Sequence, residues 1–132
     1  MNHVMPEWKI PRRLKDMVEE GEWVDERWHP LRLTVMGDTV YGDRDIPLAW
    51  QIEFEPADCQ SRVALKQIKR LGHEPDGYGW SEFIKTEFAK RFPDEVGELH
   101  LSDTELATCV IWVESEGVCR KLTELAWQLI HS

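Results

Sequence analysis

Trp50-Gln51-Ile52-Glu53-Phe54-Glu55 decides the fold of this chain, because apolar and polar side chains alternate along it without interruption. A period of two places the apolar set on one face of a β-strand and the polar set on the other face. The sequence therefore predicts a sheet with one buried face, whose other face is open to water or to a partner.

Three further segments predict strands. Residues 31–36 repeat the same alternation, and residues 99–101 form a shorter alternating segment. Residues 106–113 are apolar on both faces, which is typical of a strand that is covered on both sides. Gly37-Asp38 and Gly42-Asp43 indicate turns between the strand at residues 31–36 and the strand at residues 50–55.

Apolar residues at helical spacing predict four helices. The first begins near Ile10, and the second runs from about residue 57 to Gly72. The third runs from Trp80 to Phe92, and the last follows Ser115, whose side chain is a predicted N-cap. The predicted order of elements is helix, strand, strand, helix, helix, strand, strand, helix.

This order predicts one α+β domain over residues 1–132, with residues 1–9 as a loose N-terminal lead-in. We expect about four mainly antiparallel strands, with the helices packed mostly on one face of the sheet. The predicted core comprises Trp50, Ile52, Phe54, Leu65, Ile68, Phe83, Ile84, Phe88, Val110, Trp112, Leu122, Leu125 and Leu129.

Composition excludes several classes of protein. The chain has 132 residues, with 16 Lys and Arg against 25 Asp and Glu, and a net charge of −9. This acidic balance argues against a nucleic-acid partner, since phosphate backbones are repelled. No stretch approaches the roughly 18 apolar residues of a membrane span. Three widely spaced cysteines predict reduced thiols and a cytoplasmic location.

No catalytic motif is present, and we predict no catalytic residue, no cofactor-binding residue and no metal ligand. Gly77-Tyr78-Gly79-Trp80 is glycine-rich and opens a helix, which is where a phosphate binds in other proteins. It lacks a lysine, however, and it lies between two helices. We therefore expect the glycines to allow a tight turn and the two aromatic side chains to seal the helix end.

Charge is distributed unevenly along the chain. Residues 92–119 contain seven acids and no Lys or Arg, and residues 33–61 contain six acids and one base, Arg44. These stretches carry most of the predicted strands, so the sheet side should be strongly negative. The charge serves either solubility or the docking of a basic protein, and it favours neither interpretation. In the second case the predicted partner-binding residues are Asp43, Asp45, Glu53, Glu55, Asp103 and Glu105.

Residues 48–131 resemble the immunity protein 51 family. The likeness begins with His73-Glu74-Pro75-Asp76-Gly77-Tyr78-Gly79-Trp80, which opens a helix. Glu98-Leu99-His100-Leu101, an acidic turn, the strand 106–113 and a helix from Glu116 follow in the same order. A run of glycine and asparagine before the tyrosine in the family appears here as Pro75-Asp76-Gly77.

The resemblance implies a small bacterial protein, encoded beside a polymorphic toxin. Such a protein binds one cognate toxin in the cytoplasm and blocks its active site or substrate path. It has no catalytic residues and no cofactor. We expect a protein partner, a basic toxin domain, and neither nucleic acid nor membrane. Two alternatives stay open: another protein-binding adaptor or regulatory module of this fold class, and a small enzyme with an unrecognised site.

Overall fold

The structure, a computed structural model, describes residues 3–19 and 21–132 and contains one antiparallel sheet. Its strands are β1 (Glu22–Asp25), β2 (Arg32–Tyr41), β3 (Arg44–Phe54) and β4 (Cys109–Val113), which are neighbours in chain order. The helices are α1 (Leu14–Met17), α2 (Arg62–Arg70), α3 (Gly77–Arg91) and α4 (Glu116–Ile130). Short 3-10 turns occupy Pro56–Asp58 and Val96–Glu98. The predicted α+β fold class is confirmed.

One face of the sheet packs against the helices. Leu33, Ile52 and Ile111 are in register across β2, β3 and β4, and all three are buried. Ile68 of α2 and Leu122 of α4 belong to the same apolar cluster. The predicted placement of the helices on one face is therefore confirmed.

The opposite face, named here the outer face, is formed by the alternate residues of the same strands. It carries Arg32, Thr34, Met36, Ala49, Gln51, Glu53, Val110 and Trp112. A small second cluster lies on this face and consists of Ala49, Trp112 and Ile46, with Met36 packed against them. Within the described part of the chain, no helical residue contributes to this cluster.

The predicted order of elements is wrong at two places. Residues 22–25, interpreted as a connection, form β1, and residues 99–101, predicted as a strand, do not. His100 makes only an isolated bridge to Trp112 at the far edge of β4. Residues 99–101 are too few to form a strand, because a 3-10 turn precedes them and the turn at residues 102–103 follows them. The observed order is α-β-β-β-α-α-β-α.

Strand β4 is shorter than predicted, since it begins at Cys109 rather than at residue 106. Residues 105–108 instead form a tight turn that Glu105 and Thr108 close by pairing their backbones. Leu106, at this turn, is exposed.

The β2–β3 hairpin is longer than predicted. Both strands continue to a tight turn at Gly42, whose φ is +64°. Pairing of β1 with β2 ends at Met36, and pairing of β4 with β3 ends at Trp50. Residues 37–48 therefore pair only with each other, past the ends of β1 and β4. We call this two-stranded extension the hairpin arm.

The first two helices begin later than predicted, since α1 begins at Leu14 rather than near Ile10 and α2 begins at Arg62 rather than at about residue 57. The first helix is a single turn, in which Leu14 is buried and Met17 is exposed. Ser115 caps α4 as predicted, since its Oγ accepts a hydrogen bond from the Val118 N–H at 3.3 Å. Of the predicted core residues, Leu65 and Leu129 are only half-buried and the others are buried.

The predicted lead-in covers residues 1–9, of which residues 1 and 2 lie outside the described part. Residues 3–9 contain no helix or strand, but Trp8 packs against the core. Its ring centroid lies 6.2 Å from that of Trp28 and 6.4 Å from that of Trp50. Its indole N–H donates a hydrogen bond to Glu116 at 3.1 Å, which joins this segment to the start of α4.

Candidate functional site

A groove of about 270 Å³ opens on the outer face, beneath the hairpin arm. Met36, Ala49 and Trp112 of the sheet form its floor. The remaining lining residues are Thr39, Val40 and Tyr41 of the arm, Gln51 of β3 and Asp103 of the loop before β4.

The groove exists because the arm turns over the outer face. By simple alternation along the strands, Tyr41 and Ile46 would lie on the helix-packed face with Val35 and Trp50. Instead Ile46 joins the outer cluster, and the Tyr41 ring centroid lies 5.2 Å from that of Trp112. The change of face follows Asp38, whose φ of +48° places it in the left-handed region.

The arm is tied to the end of β4 by an ion pair. The two terminal guanidinium nitrogens of Arg44 donate hydrogen bonds to the two carboxylate oxygens of Glu114, each at 2.8 Å. This pairing lowers the pKa of Glu114 and raises that of Arg44. Glu114 Oε2 also lies 3.1 Å from Nε2 of His100. The His100 ring stacks on Trp112 with 3.9 Å between centroids, so one connected cluster supports the groove.

Two kinds of side chain are available to a partner at the groove. Val40 is 68% exposed and Tyr41 is 43% exposed, whereas Trp112 on the floor is only 5% exposed. Asp103 is the one carboxylate that lines the groove. Its side chain forms no ion pair or hydrogen bond with any residue that the structure describes. The groove therefore combines exposed apolar area with an uncompensated negative charge.

The structure places the predicted partner-binding acids around this face in three groups. Asp103 lines the groove itself. Glu53 and Glu55 line a second depression of about 310 Å³, together with Arg32. Asp43 lies at the tip of the arm, and Asp45 lines a third depression on it.

The sixth predicted acid, Glu105, lies exposed in the tight turn before β4 and lines none of these depressions. Across residues 3–19 and 21–132, none of the six forms an ion pair.

Sequence reasoning missed the aromatic part of the site. Trp112 was predicted as core, and it is buried, but on the outer face rather than against the helices. A signal for this was present, because Trp112 alternates with Ile111 and Val113. No local signal identifies Tyr41 and His100, which reach Trp112 only through the bend of the arm and the loop before β4.

The glycine-rich segment at the start of α3 has a structural role. The Gly77 N–H donates to the Leu106 carbonyl at 2.8 Å, and the Gly79 N–H donates to Asp76 at 2.9 Å. A Cβ at Gly77 would collide with the carbonyl oxygen of Glu105, and one at Gly79 with that of Glu74. These amides are already paired and the backbone is crowded, so the segment does not form a phosphate cradle.

Trp80 is fully buried, in edge-to-face contact with Phe54, as predicted for a structural residue. Tyr78 is 54% exposed, so it does not seal the helix end.

The three thiols are unsuited to nucleophilic chemistry. Burial raises the pKa of Cys59, Cys109 and Cys119 to about 12 in each case. Thiols with such a pKa are protonated near neutral pH, and the thiolate is the reactive and metal-binding form. Among the described residues, no group of three or more His, Cys, Asp or Glu is arranged to hold a metal ion. Over the same residues, no helix is both long and apolar enough to span a membrane.

No family model, no curated protein and no solved structure matches this chain. The resemblance to the immunity protein 51 family therefore rests on the sequence features alone.

Proposed function

We propose that this protein binds a basic partner protein through its outer face. We further propose that it acts as a cytoplasmic immunity protein, which neutralises a cognate bacterial toxin domain by covering its active site or substrate path. The observation that carries the proposal is the groove, where exposed Val40 and Tyr41 adjoin the unpaired carboxylate of Asp103.

Charge supports a basic partner. On the outer face and the arm, Glu53, Asp43 and Asp45 have no ion-pair partner among the described residues, whereas the bases Arg32 and Arg44 are both paired with other acids. The whole chain has a net charge of −9. The bases Arg62, Lys66, Lys69 and Arg70 lie on α2, which packs on the other side of the sheet. Such a separation of charge steers a cationic protein toward the outer face and increases the association rate.

Preorganisation supports tight binding. The ion pair between Arg44 and Glu114 holds the arm in place before a partner arrives. A surface that is already ordered loses less conformational entropy on binding, so more of the contact energy appears as affinity. Tyr41 supplies an aromatic side chain that is exposed and partly supported by Trp112, which is typical of an interface hot spot.

The proposal predicts that a neighbouring gene encodes a toxin domain, and the test uses that domain as the partner. Its affinity should be measured by calorimetry for the wild-type protein and for the variants Tyr41→Ala and Gln51→Arg, which alter the groove. The matched controls are Val63→Ala and Lys66→Glu on the exposed face of α2. We expect the groove variants to weaken binding at least about tenfold and the control variants to leave it unchanged.

The same variants should be tested for protection of cells that express the toxin. Loss of protection should follow loss of affinity. Unchanged affinity in both groove variants, or loss of binding in the α2 variants alone, would contradict the proposed docking face. Absence of any binding to the neighbouring gene product would contradict the immunity function.

A further inference from the structure

The groove under the hairpin arm has the features of a pocket for a single cationic side chain. Its floor is apolar and consists of Met36, Ala49 and Trp112. A long side chain with a methylene stem can bury that stem on such a floor while its charged end stays near the rim.

Polar groups in the groove favour a cation at its end. Asp103 is the one charged lining residue, and the described part of the chain supplies no cation to it. Gln51 lines the same groove and adds a side-chain carbonyl that can accept a hydrogen bond. An acidic side chain would be repelled here, and a purely apolar one would leave the Asp103 charge uncompensated as water is displaced.

We propose that this groove receives one arginine side chain of the partner protein. This inference rests on the proposed docking function and adds the chemistry that the site recognises. The guanidinium hydrogen-bonds to the Asp103 carboxylate and stacks on the exposed part of the Tyr41 ring. Arginine fits better than lysine, because a planar guanidinium pairs with a carboxylate through two hydrogen bonds and stacks on aromatic rings.

The experiment titrates the full-length protein with the capped tripeptide acetyl-Gly-Arg-Gly-amide, followed by NMR. The two comparison peptides carry citrulline, which has the same shape without the charge, or lysine in place of arginine. The signals to follow are the indole N–H of Trp112 and the side-chain amide of Gln51. The protein variants are Asp103→Asn and its matched control Asp94→Asn, an exposed aspartate away from the groove.

We expect saturable shifts of these two signals with the arginine peptide, with a dissociation constant on the order of millimolar. Binding should weaken about tenfold in Asp103→Asn and stay unchanged in Asp94→Asn. Equal binding of the citrulline peptide, or an unchanged dissociation constant in Asp103→Asn, would overturn the inference. Equal binding of the lysine peptide would overturn the assignment to arginine.

Partner binding by the variants Tyr41→Ala and Asp103→Asn distinguishes a failure of this inference from a failure of the proposed function. If Tyr41→Ala weakens binding of the partner and Asp103→Asn does not, the arginine pocket is wrong and the docking face stands. If neither variant affects partner binding, the docking face itself is wrong.

Discussion

Arg44, at the tip of a hairpin, is joined to Glu114, at the end of β4, by two hydrogen bonds of 2.8 Å each. The pair connects residues that are 70 positions apart in the chain. It ties the arm, which supplies Thr39, Val40 and Tyr41 to the groove, to the end of β4. The ion pair is exposed, so its role is to position the arm rather than to stabilise the whole fold.

Replacing Arg44 by Ala should release the hairpin arm. Amide hydrogen exchange of residues 37–48 should become about two- to fivefold faster, because opening of the arm no longer has to break this exposed ion pair. Exchange in the helices should not change. The control is Arg120→Ala, which removes an exposed ion pair with Glu124 on α4. Unchanged exchange in the arm of the Arg44→Ala variant would show that the arm is held by other contacts.

The ionisation of Glu114 should report the same contact. The hydrogen bond from Arg44 lowers the pKa of Glu114 below the ordinary value of 4.5. A carboxylate with a lowered pKa contributes stability above its unfolded pKa, and this contribution is lost as pH falls through the folded value. Protection of the arm should therefore persist at pH 5 to 7 and decline at lower pH. An NMR titration of the Glu114 carboxyl should show its pKa rise in Arg44→Ala, and equal values in both proteins would contradict the ion pair.

Gly77 and Gly79 should not tolerate a side chain. Substitution of either glycine by Ala pushes a Cβ into a backbone carbonyl, so the free energy of unfolding should fall by about 1–3 kcal/mol or more. Gly97→Ala and Gly117→Ala are matched controls, because no atom lies within 4 Å of the added Cβ at either position. Chemical denaturation of all four variants measures the difference. Similar stability of the Gly77 and control variants would show that this contact is absent in solution.

The buried face of the sheet and α4 should carry much of the stability. Phe54→Ala should lower the free energy of unfolding by about 3–5 kcal/mol, and Leu125→Ala by about 2–5 kcal/mol, through lost burial and a cavity. Both side chains are at most 3% exposed. Leu106→Ala is the control, since that side chain is exposed and its loss should change stability by less than about 0.5 kcal/mol. A change below about 0.5 kcal/mol in either core variant would mean that the buried faces are assigned wrongly.

Regular patterns in the sequence were sufficient to predict much of the fold. The alternation over residues 50–55 predicted the central strand and both of its faces. The apolar stripe after Ser115 predicted α4 and its cap. Strand β1 was missed because Glu22–Asp25 is too short to show a period. The face change after Asp38 also has no sequence period, since it depends on contacts between the arm and the sheet.

The candidate site was predictable only in its charge. Unpaired acids follow from composition, and their positions on turns and on the polar face of β3 follow from the strand pattern. The aromatic cluster of Tyr41, His100 and Trp112 combines three distant parts of the chain. Only the bend of the arm and the bridge between His100 and β4 bring these rings together, so their proximity is a tertiary property.

The measurement that tests the docking face most directly is the association rate with the partner domain as a function of ionic strength. The proteins compared are the wild type, a Glu53→Lys, Glu55→Lys double variant of the outer face, and a Glu74→Lys, Asp94→Lys double variant with the same change in net charge elsewhere. We expect the wild-type rate to fall as salt shortens the Debye length from ~10 Å at 0.1 M to ~3 Å at 1 M. At low salt the outer-face variant should associate about tenfold more slowly than the control variant. An association rate that does not depend on salt, and that is equal in the two double variants, would contradict the proposed docking of a basic partner on the outer face.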